Sequence, residues 1–247
     1  MTRSGSRVQL ARTWVLHQRP FRDSSLIVEV FAREHGRLTV FAHGVRGPRS
    51  RFAVLQPFRP LLMSWSGRGD AAQLTGAEGA GPACALPAAR LMSAFYLNEL
   101  LVKLLTRHDP YPQLFDQYEL TLAQLVVQAQ AESPLRQFEA RLLEFIGYGL
   151  NLDAEADTGR PVSSDSYYHF EPGVHGFVVA EPGSSGAIHG GVLRRLAQGE
   201  GFAAEDEQSQ ARALMRAALD HCLEGRELRT RTVARALQNY SRRERSD

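Results

Sequence analysis

Lysine is nearly absent from this chain: of 29 basic residues, only Lys103 is a lysine and the rest are arginines. That bias fits a GC-rich genome, and it also suits phosphate and stacking contacts, for which the planar guanidinium is the better group. Cysteine is scarce. Cys84 and Cys222 stand far apart, without partners at metal-ligand spacing, which argues against a disulfide framework or a cysteine zinc site. Both read as small apolar side chains. No apolar run approaches the ~20 residues of a bilayer span, so no membrane partner is expected. The charged start, Met1 to Arg7, is followed by no apolar stretch with a cleavage site, so no signal peptide is expected and the cytoplasm is the default compartment.

Catalytic signatures are missing too. There is no GxSxG, P-loop or HExxH pattern, and Glu78-Gly79-Ala80-Gly81-Pro82 fails as a dinucleotide fingerprint. His169 and His175 are the one close histidine pair, with Asp165 and Glu171 nearby, and they read as hairpin side chains rather than metal ligands. Asp23-Ser24-Ser25 reads as a turn or strand start, and Arg68-Gly69-Asp70 as a loop tip. The expectation is a protein that is not an enzyme and holds no metal or cofactor.

What the chain does have is segregated charge. Residues 1–81 carry 12 arginines against 5 acids, a net of +7; residues 82–224 carry 10 basic against 19 acidic residues, a net of −9; the segment from Gly225 is +4. A small domain at +7 attracts polyanions or acidic peptides, although an excess of cations also serves solubility.

Period-two patterning runs from Arg7 to Thr75. The alternating sets are Val8-Leu10-Trp14-Leu16, Leu26-Val28-Val30, Leu38-Val40-Ala42, Leu61-Met63-Trp65 and Ala72-Leu74. Turn signals at Arg19-Pro20, His35-Gly36, Gly44 to Ser50 and Gly67 to Asp70 separate them. Five short strands predict a small closed barrel, of OB type first and SH3-like second. The pattern changes at Gly79-Ala80-Gly81-Pro82. Leu86 to Arg107 reads as a helix apolar all round, suited to the centre of a bundle. Further helices are expected over Tyr111–Ala131, from Ser133-Pro134 to Gly147 or Gly149, over Ala187–Gln198 and over Asp206–Glu224. The fold class is therefore α+β: an OB-type domain over residues 1–80, a helical domain over 81–240 with a hairpin near 165–180, and a basic mobile tail over 241–247.

The strongest functional signal is Gly44-Val45-Arg46-Gly47-Pro48-Arg49-Ser50-Arg51-Phe52. Arg46, Arg49 and Arg51 share a glycine- and proline-punctuated loop, where guanidinium forks can reach phosphates without competing with a core. Arg37 and Arg68, at neighbouring turns, extend the patch. Phe52 and Phe58 either stack on bases or pack inside the barrel.

Several segments, in order, resemble the RecO family of bacterial DNA repair proteins. They are Ala11 to Leu26, Phe31-Ala32-Arg33-Glu34-His35-Gly36-Arg37-Leu38, Ala42-His43-Gly44-Val45-Arg46, Leu55-Gln56-Pro57-Phe58, Tyr96-Leu97-Asn98-Glu99-Leu100-Leu101, Leu135-Arg136-Gln137-Phe138-Glu139 and Phe145-Ile146-Gly147-Tyr148-Gly149. The resemblance implies an N-terminal OB-fold and a helical C-terminal domain. It implies a nucleoid-associated recombination mediator that binds single- and double-stranded DNA and anneals complementary strands. It also implies that the protein works with RecR to load RecA onto DNA coated by single-stranded DNA-binding protein (SSB). Many relatives carry a four-cysteine zinc module after the Gly-Tyr-Gly segment; Asn151 to Phe177 contains no cysteine, which resembles a metal-free branch. The family's affinity for the acidic, phenylalanine-ended C-terminal tail of SSB needs an apolar pocket beside an arginine. Arg136, Phe138 and Leu142, with Leu101, are the expected residues; the competing reading pairs Arg136 with Glu139. Two other classes stay open: an adaptor whose basic barrel docks an acidic protein, and a nuclease or ligase, for which clustered carboxylates are lacking.

Overall fold

The computed structural model describes residues 7–22, 24–45, 52–67, 72–128, 130–174, 176–202 and 204–243. The chain divides into two compact units: Met1–Val126 with Leu228–Asp247, and Val127–Glu227. The first unit thus includes the barrel and helices from both sides of the second unit in sequence.

The first unit is built on five strands: β1 (Arg7–Phe21), β2 (Ser25–Ala32), β3 (Gly36–Ala42), β4 (Leu61–Ser66) and β5 (Ala72–Gly79). They close in the order β1-β2-β3-β5-β4, with β3 and β5 parallel and every other pair antiparallel. This is the OB-type barrel that the period-two pattern predicts. β1 is long because it serves two neighbours. Register shifts between Val8 and Ala11 and between Val15 and His17 coil it, so its first half pairs with β4 and its second half with β2. Val15, Val28, Val30, Leu38, Val40, Met63 and Trp65 fill the interior, together with Phe52 and Leu55. Phe52 is therefore a core side chain. So is Phe58, which is 6% exposed and meets Phe95 edge-on at 4.9 Å. The β2–β3 turn requires Gly36: its φ is +67°, and a Cβ there would lie 2.0 Å from the Asp109 carbonyl oxygen.

Three helices complete this unit: α1 (Ala88–Leu104), α2 (Pro112–Val127) and a helix at Arg229–Arg243. Aromatic rings join α2 to the barrel, with Trp14 edge-on to Tyr118 at 5.7 Å and Phe31 against Phe115 at 5.4 Å. The buried Asn98 of α1 donates to the Leu16 carbonyl and accepts from the Tyr118 hydroxyl, fastening α1 to both. α1 is not the centre of a bundle: it buries Ala94, Leu97, Leu100 and Leu101 but exposes Leu91 and Phe95.

The second unit contains α3 (Glu132–Phe145), β6 (Tyr167–Glu171), β7 (Gly176–Ala180), β8 (Ile188–His189), α4 (Gly190–Gln198) and α5 (Glu205–Leu223). Strands β6 and β7 form the expected hairpin, and β8 pairs with β6 to make the sheet β7-β6-β8. Between α3 and the hairpin the chain is held by the buried Leu152, Val162, Tyr168 and Phe177, and by the Ser163 amide donating to the Tyr168 hydroxyl at 2.9 Å. Gly190 is needed where the chain enters α4, since a Cβ would lie 1.9 Å from the Ser163 carbonyl oxygen. Among the described residues, no three His, Cys, Asp or Glu side chains gather in a metal-holding group. His169 shares a hydrogen bond with Ser184 at 3.1 Å, and His175 lies outside the described residues.

The Arg229–Arg243 helix, α6, occupies a stretch where the sequence suggested no element and then a mobile tail; residues 244–247 lie outside the described residues. Glu99 of α1 receives its N-terminus, accepting from the Arg229 amide (2.8 Å), the Thr230 amide (2.9 Å) and the Thr230 hydroxyl (2.7 Å). Burial alone would raise the Glu99 pKa, but these bonds outweigh it and hold the carboxyl below its ordinary range. Burial raises the thiol of Cys84 and pushes that of Cys222 up to about 11, which suits packing and not reactivity. No helix among the described residues is long and apolar enough to cross a membrane.

Candidate nucleic-acid interface

The outer face of the barrel has two ends with different fates. At one end, Trp14 and Phe31 lie under α2, and the arginines there meet acids. Arg12 Nη2 lies 2.5 Å from Glu119, and Arg33 grips Asp116 through two bonds of 2.8 and 2.7 Å. The Arg33 guanidinium holds the Asp116 carboxyl below the usual carboxylate range. These cations are paired within the unit.

Arg37 belongs with them. Its guanidinium lies 3.2 Å from Glu29 and donates to the Leu105 carbonyl at 3.1 Å; its side chain is 13% exposed. Glu29 also takes Arg107 at 2.7 Å and the Thr39 hydroxyl at 2.6 Å. The expectation that Arg37 contacts DNA is corrected here. It sits at a turn, but the turn is covered by the chain leaving α1, and the guanidinium is a strut between β3 and that segment. Arg46, Arg49, Arg51 and Arg68 lie outside the described residues.

At the opposite end of the same face, Arg19, Arg22, His43 and Gln73 are exposed among the described residues. Strand register sets Arg19, Ile27, Phe41 and Gln73 side by side across β1, β2, β3 and β5. Phe21 pairs with Ser25 on the adjoining rung. Because side chains alternate, all of these point away from a core that holds Val28, Val40 and Ala72. The half-buried rings of Phe21 and Phe41 meet edge-to-face at 5.7 Å, and the Arg22 guanidinium lies 5.2 Å from the Phe21 centroid. His43 closes the rung, bridging the Ser25 hydroxyl (2.9 Å) and the Gln73 side-chain oxygen (2.7 Å). Arg19 and Arg22 are exposed, and among the described residues neither has an acidic partner. The Val45 amide donates to the Ser24 carbonyl at 2.9 Å, so the chain enters the segment of Arg46, Arg49 and Arg51 from this corner. Sequence reasoning missed the pair because Arg19-Pro20 resembles a turn; the strand runs through it to Phe21.

The four residues expected to hold an acidic tail are core residues. Phe138, Leu142 and Leu101 are fully buried, the last in a different compact unit from the other two. Arg136 is 6% exposed and lies 2.7 Å from the buried Glu139, with Glu132 at 3.5 Å. Apolar spacing along α3 identified a real stripe, but the stripe faces inward. An exposed apolar concavity of about 480 Å³ lies elsewhere, in the first unit, between α1, β1 and α6, with Met92, Phe95, Val102 and Val233 in its lining and Lys103 and Arg229 beside them.

Comparison with known proteins covers both units. The family model described as "Recombination protein O N terminal" matches residues 9–83, and "Recombination protein O C terminal" matches residues 88–232. The chain is 44% identical over 242 residues to the DNA repair protein RecO of Alkalilimnicola ehrlichii, covering 97% of this chain and 96% of that protein. It is 43% identical over 244 residues to that of Nitrosococcus oceani (96% and 98%) and 42% over 232 residues to that of Methylococcus capsulatus (94% and 95%). With both halves matched in order and relatives aligned over nearly their whole length, the chain belongs to the RecO family of DNA repair proteins.

Proposed function

We propose that this protein is a non-enzymatic recombination mediator that binds single- and double-stranded DNA through the barrel and anneals complementary strands. Its family membership makes it a protein of DNA repair and recombination. The observation that carries the finer reading is this exposed barrel end. There exposed Arg19 and Arg22 adjoin aromatic rings and the root of an arginine-rich segment, on the kind of barrel face that binds oligonucleotides in other OB-folds.

Annealing needs no bond made or broken in the protein. Two strands repel through their phosphates, and a cationic surface lowers that barrier by screening both. Arg46, Arg49, Arg51 and Arg68 are the proposed phosphate contacts; Arg19 and Arg22 join them, and Arg37 is removed. RecR, RecA loading and the SSB tail are proposed on family resemblance, with no contact residue assigned. Arg136, Phe138, Leu142 and Leu101 are too deeply buried to receive a tail in the closed fold.

The test is annealing of SSB-coated complementary oligonucleotides with and without the protein, across salt. A mediator accelerates pairing at low salt and loses that effect as salt rises. An adaptor that docks only an acidic protein leaves the annealing rate unchanged.

A further inference from the structure

We propose that Phe21 and Phe41 form a base-stacking platform that engages only unpaired bases, so that the barrel holds single strands and lets go of them once they pair. The inference rests on the DNA-binding reading above and deepens it.

Aromatic side chains on a small barrel usually turn inward or are covered. Trp14 and Phe31 on this same outer face lie under α2, and Phe52 and Trp65 are inside. Phe21 and Phe41 are neither. They stand half-buried on the outer face, edge-to-face with each other, with Phe41 paired in register to Ile27. Such an arrangement keeps both rings rigid while leaving part of each half-buried ring in solvent, the geometry a base needs in order to stack. Their surroundings suit a nucleotide as well. Arg19 and Arg22 are cations without acidic partners among the described residues, and the exposed His43 and Gln73, bonded to each other, lie on adjoining positions.

The chemistry discriminates between the forms of DNA. Arginines attract phosphates whether or not the bases are paired. Rings reach a base face only when the base is unstacked, because in a duplex each face is covered by its neighbours. The platform therefore adds affinity for single strands alone. When two complementary strands pair at this surface, their bases leave the rings and only the phosphate contacts remain. Those contacts weaken with salt, so the paired product dissociates more readily than either reactant.

The experiment is equilibrium binding of the full chain to three probes of equal length: a single-stranded oligonucleotide, its duplex, and an abasic single strand. These are measured for wild type and for Phe21→Leu/Phe41→Leu, which keeps apolar volume but removes the rings. The platform predicts that the double variant loses roughly 5- to 150-fold in affinity for the single strand. It predicts unchanged affinity for the duplex and the abasic strand, and an unchanged salt slope. Equal losses on all three probes, or no loss on the single strand while wild type binds it, would overturn the platform and leave the DNA reading standing. Absence of DNA binding by wild type would overturn both. Phe41→Trp gives a second readout that retains the stacking surface: single strands but not duplex should quench its fluorescence, and equal quenching by both would count against the platform.

Discussion

The two compact units differ in how they use arginine. The first, Met1–Val126 with Leu228–Asp247, carries 21 basic against 11 acidic residues, a net of +10; the second, Val127–Glu227, carries 8 against 16, a net of −8. In the second unit most arginines are tied down. Arg136 meets Glu139 and Glu132, Arg212 meets Glu132, Arg195 meets Glu200 and Glu207, and Arg141 and Arg216 pair along their own helices. In the first unit acids are fewer than cations, and at one end of the barrel Asp116, Glu119 and Glu29 take Arg33, Arg12 and Arg37. The other end keeps its cations. Net charge attracts a polyanion, but it is the uneven supply of internal acid that decides which arginines remain available to it.

The comparison can be broken in several ways. The largest expected effect is at the join between barrel and α2. Phe31→Ala removes a fully buried ring that packs on Phe115 and Tyr118, and is expected to cost about 3–5 kcal/mol. Both tryptophans, Trp14 and Trp65, belong to the first unit, so tryptophan fluorescence during denaturant unfolding reports on that unit. A midpoint that does not move would show that barrel and helices do not depend on each other.

Next is the ion pair inside the second unit. Glu139→Ala takes the 2.7 Å carboxylate partner from the buried Arg136 guanidinium, at a cost of about 3 kcal/mol. Helical circular dichroism against denaturant measures it. If Arg136 were an open binding group instead, the loss would stay under about 1 kcal/mol.

The arginine-rich segment predicts an effect on salt dependence more than on stability. Arg46→Ala, Arg49→Ala and Arg51→Ala together should lower the slope of log affinity against log salt for single strands by about 2, at ~0.7 per phosphate. An unchanged slope would remove these three from the interface.

The smallest effect concerns α6. The Glu99 pKa is lowered in the folded chain, so the stabilisation from its bonds to Arg229 and Thr230 is present above the ordinary glutamate value of 4.5 and is lost as pH falls through the lower folded value. Glu99→Gln is expected to cost up to about 1 kcal/mol, as loss of a helix cap does. It should raise hydrogen exchange at the Arg229 and Thr230 amides at neutral pH. Equal exchange in wild type and variant would show that the carboxylate does not hold the helix.

Much of the fold could be read from spacing. The five strands follow from alternating side chains, because one face of each strand must fill the barrel, and α3, α4 and α5 follow from helical periodicity. What escaped depends on contacts distant in sequence. α6 has an arginine-rich, weakly apolar sequence that suggests no packed element, and its N-terminus is held by Glu99, 130 residues away. Arg37 looked exposed at a turn because Glu29 on the neighbouring strand and Leu105 after α1, which it bonds, are brought there only by folding. The α3 stripe was correctly found and wrongly turned outward: apolar residues at helical spacing look the same whether they face a core or a partner. The Phe21–Phe41 pair needs strand register to become visible, since twenty residues and a strand separate the two rings in the chain.

The central claim is that single-stranded DNA is held by the exposed end of the barrel in the first unit. Ultraviolet cross-linking of a single-stranded oligonucleotide to the full chain, followed by peptide mapping, tests it most directly. Cross-linked peptides spanning Arg19 to Phe52 are expected, with Phe21 or Phe41 among the modified positions. Cross-links confined to peptides between Val127 and Glu227 would contradict it.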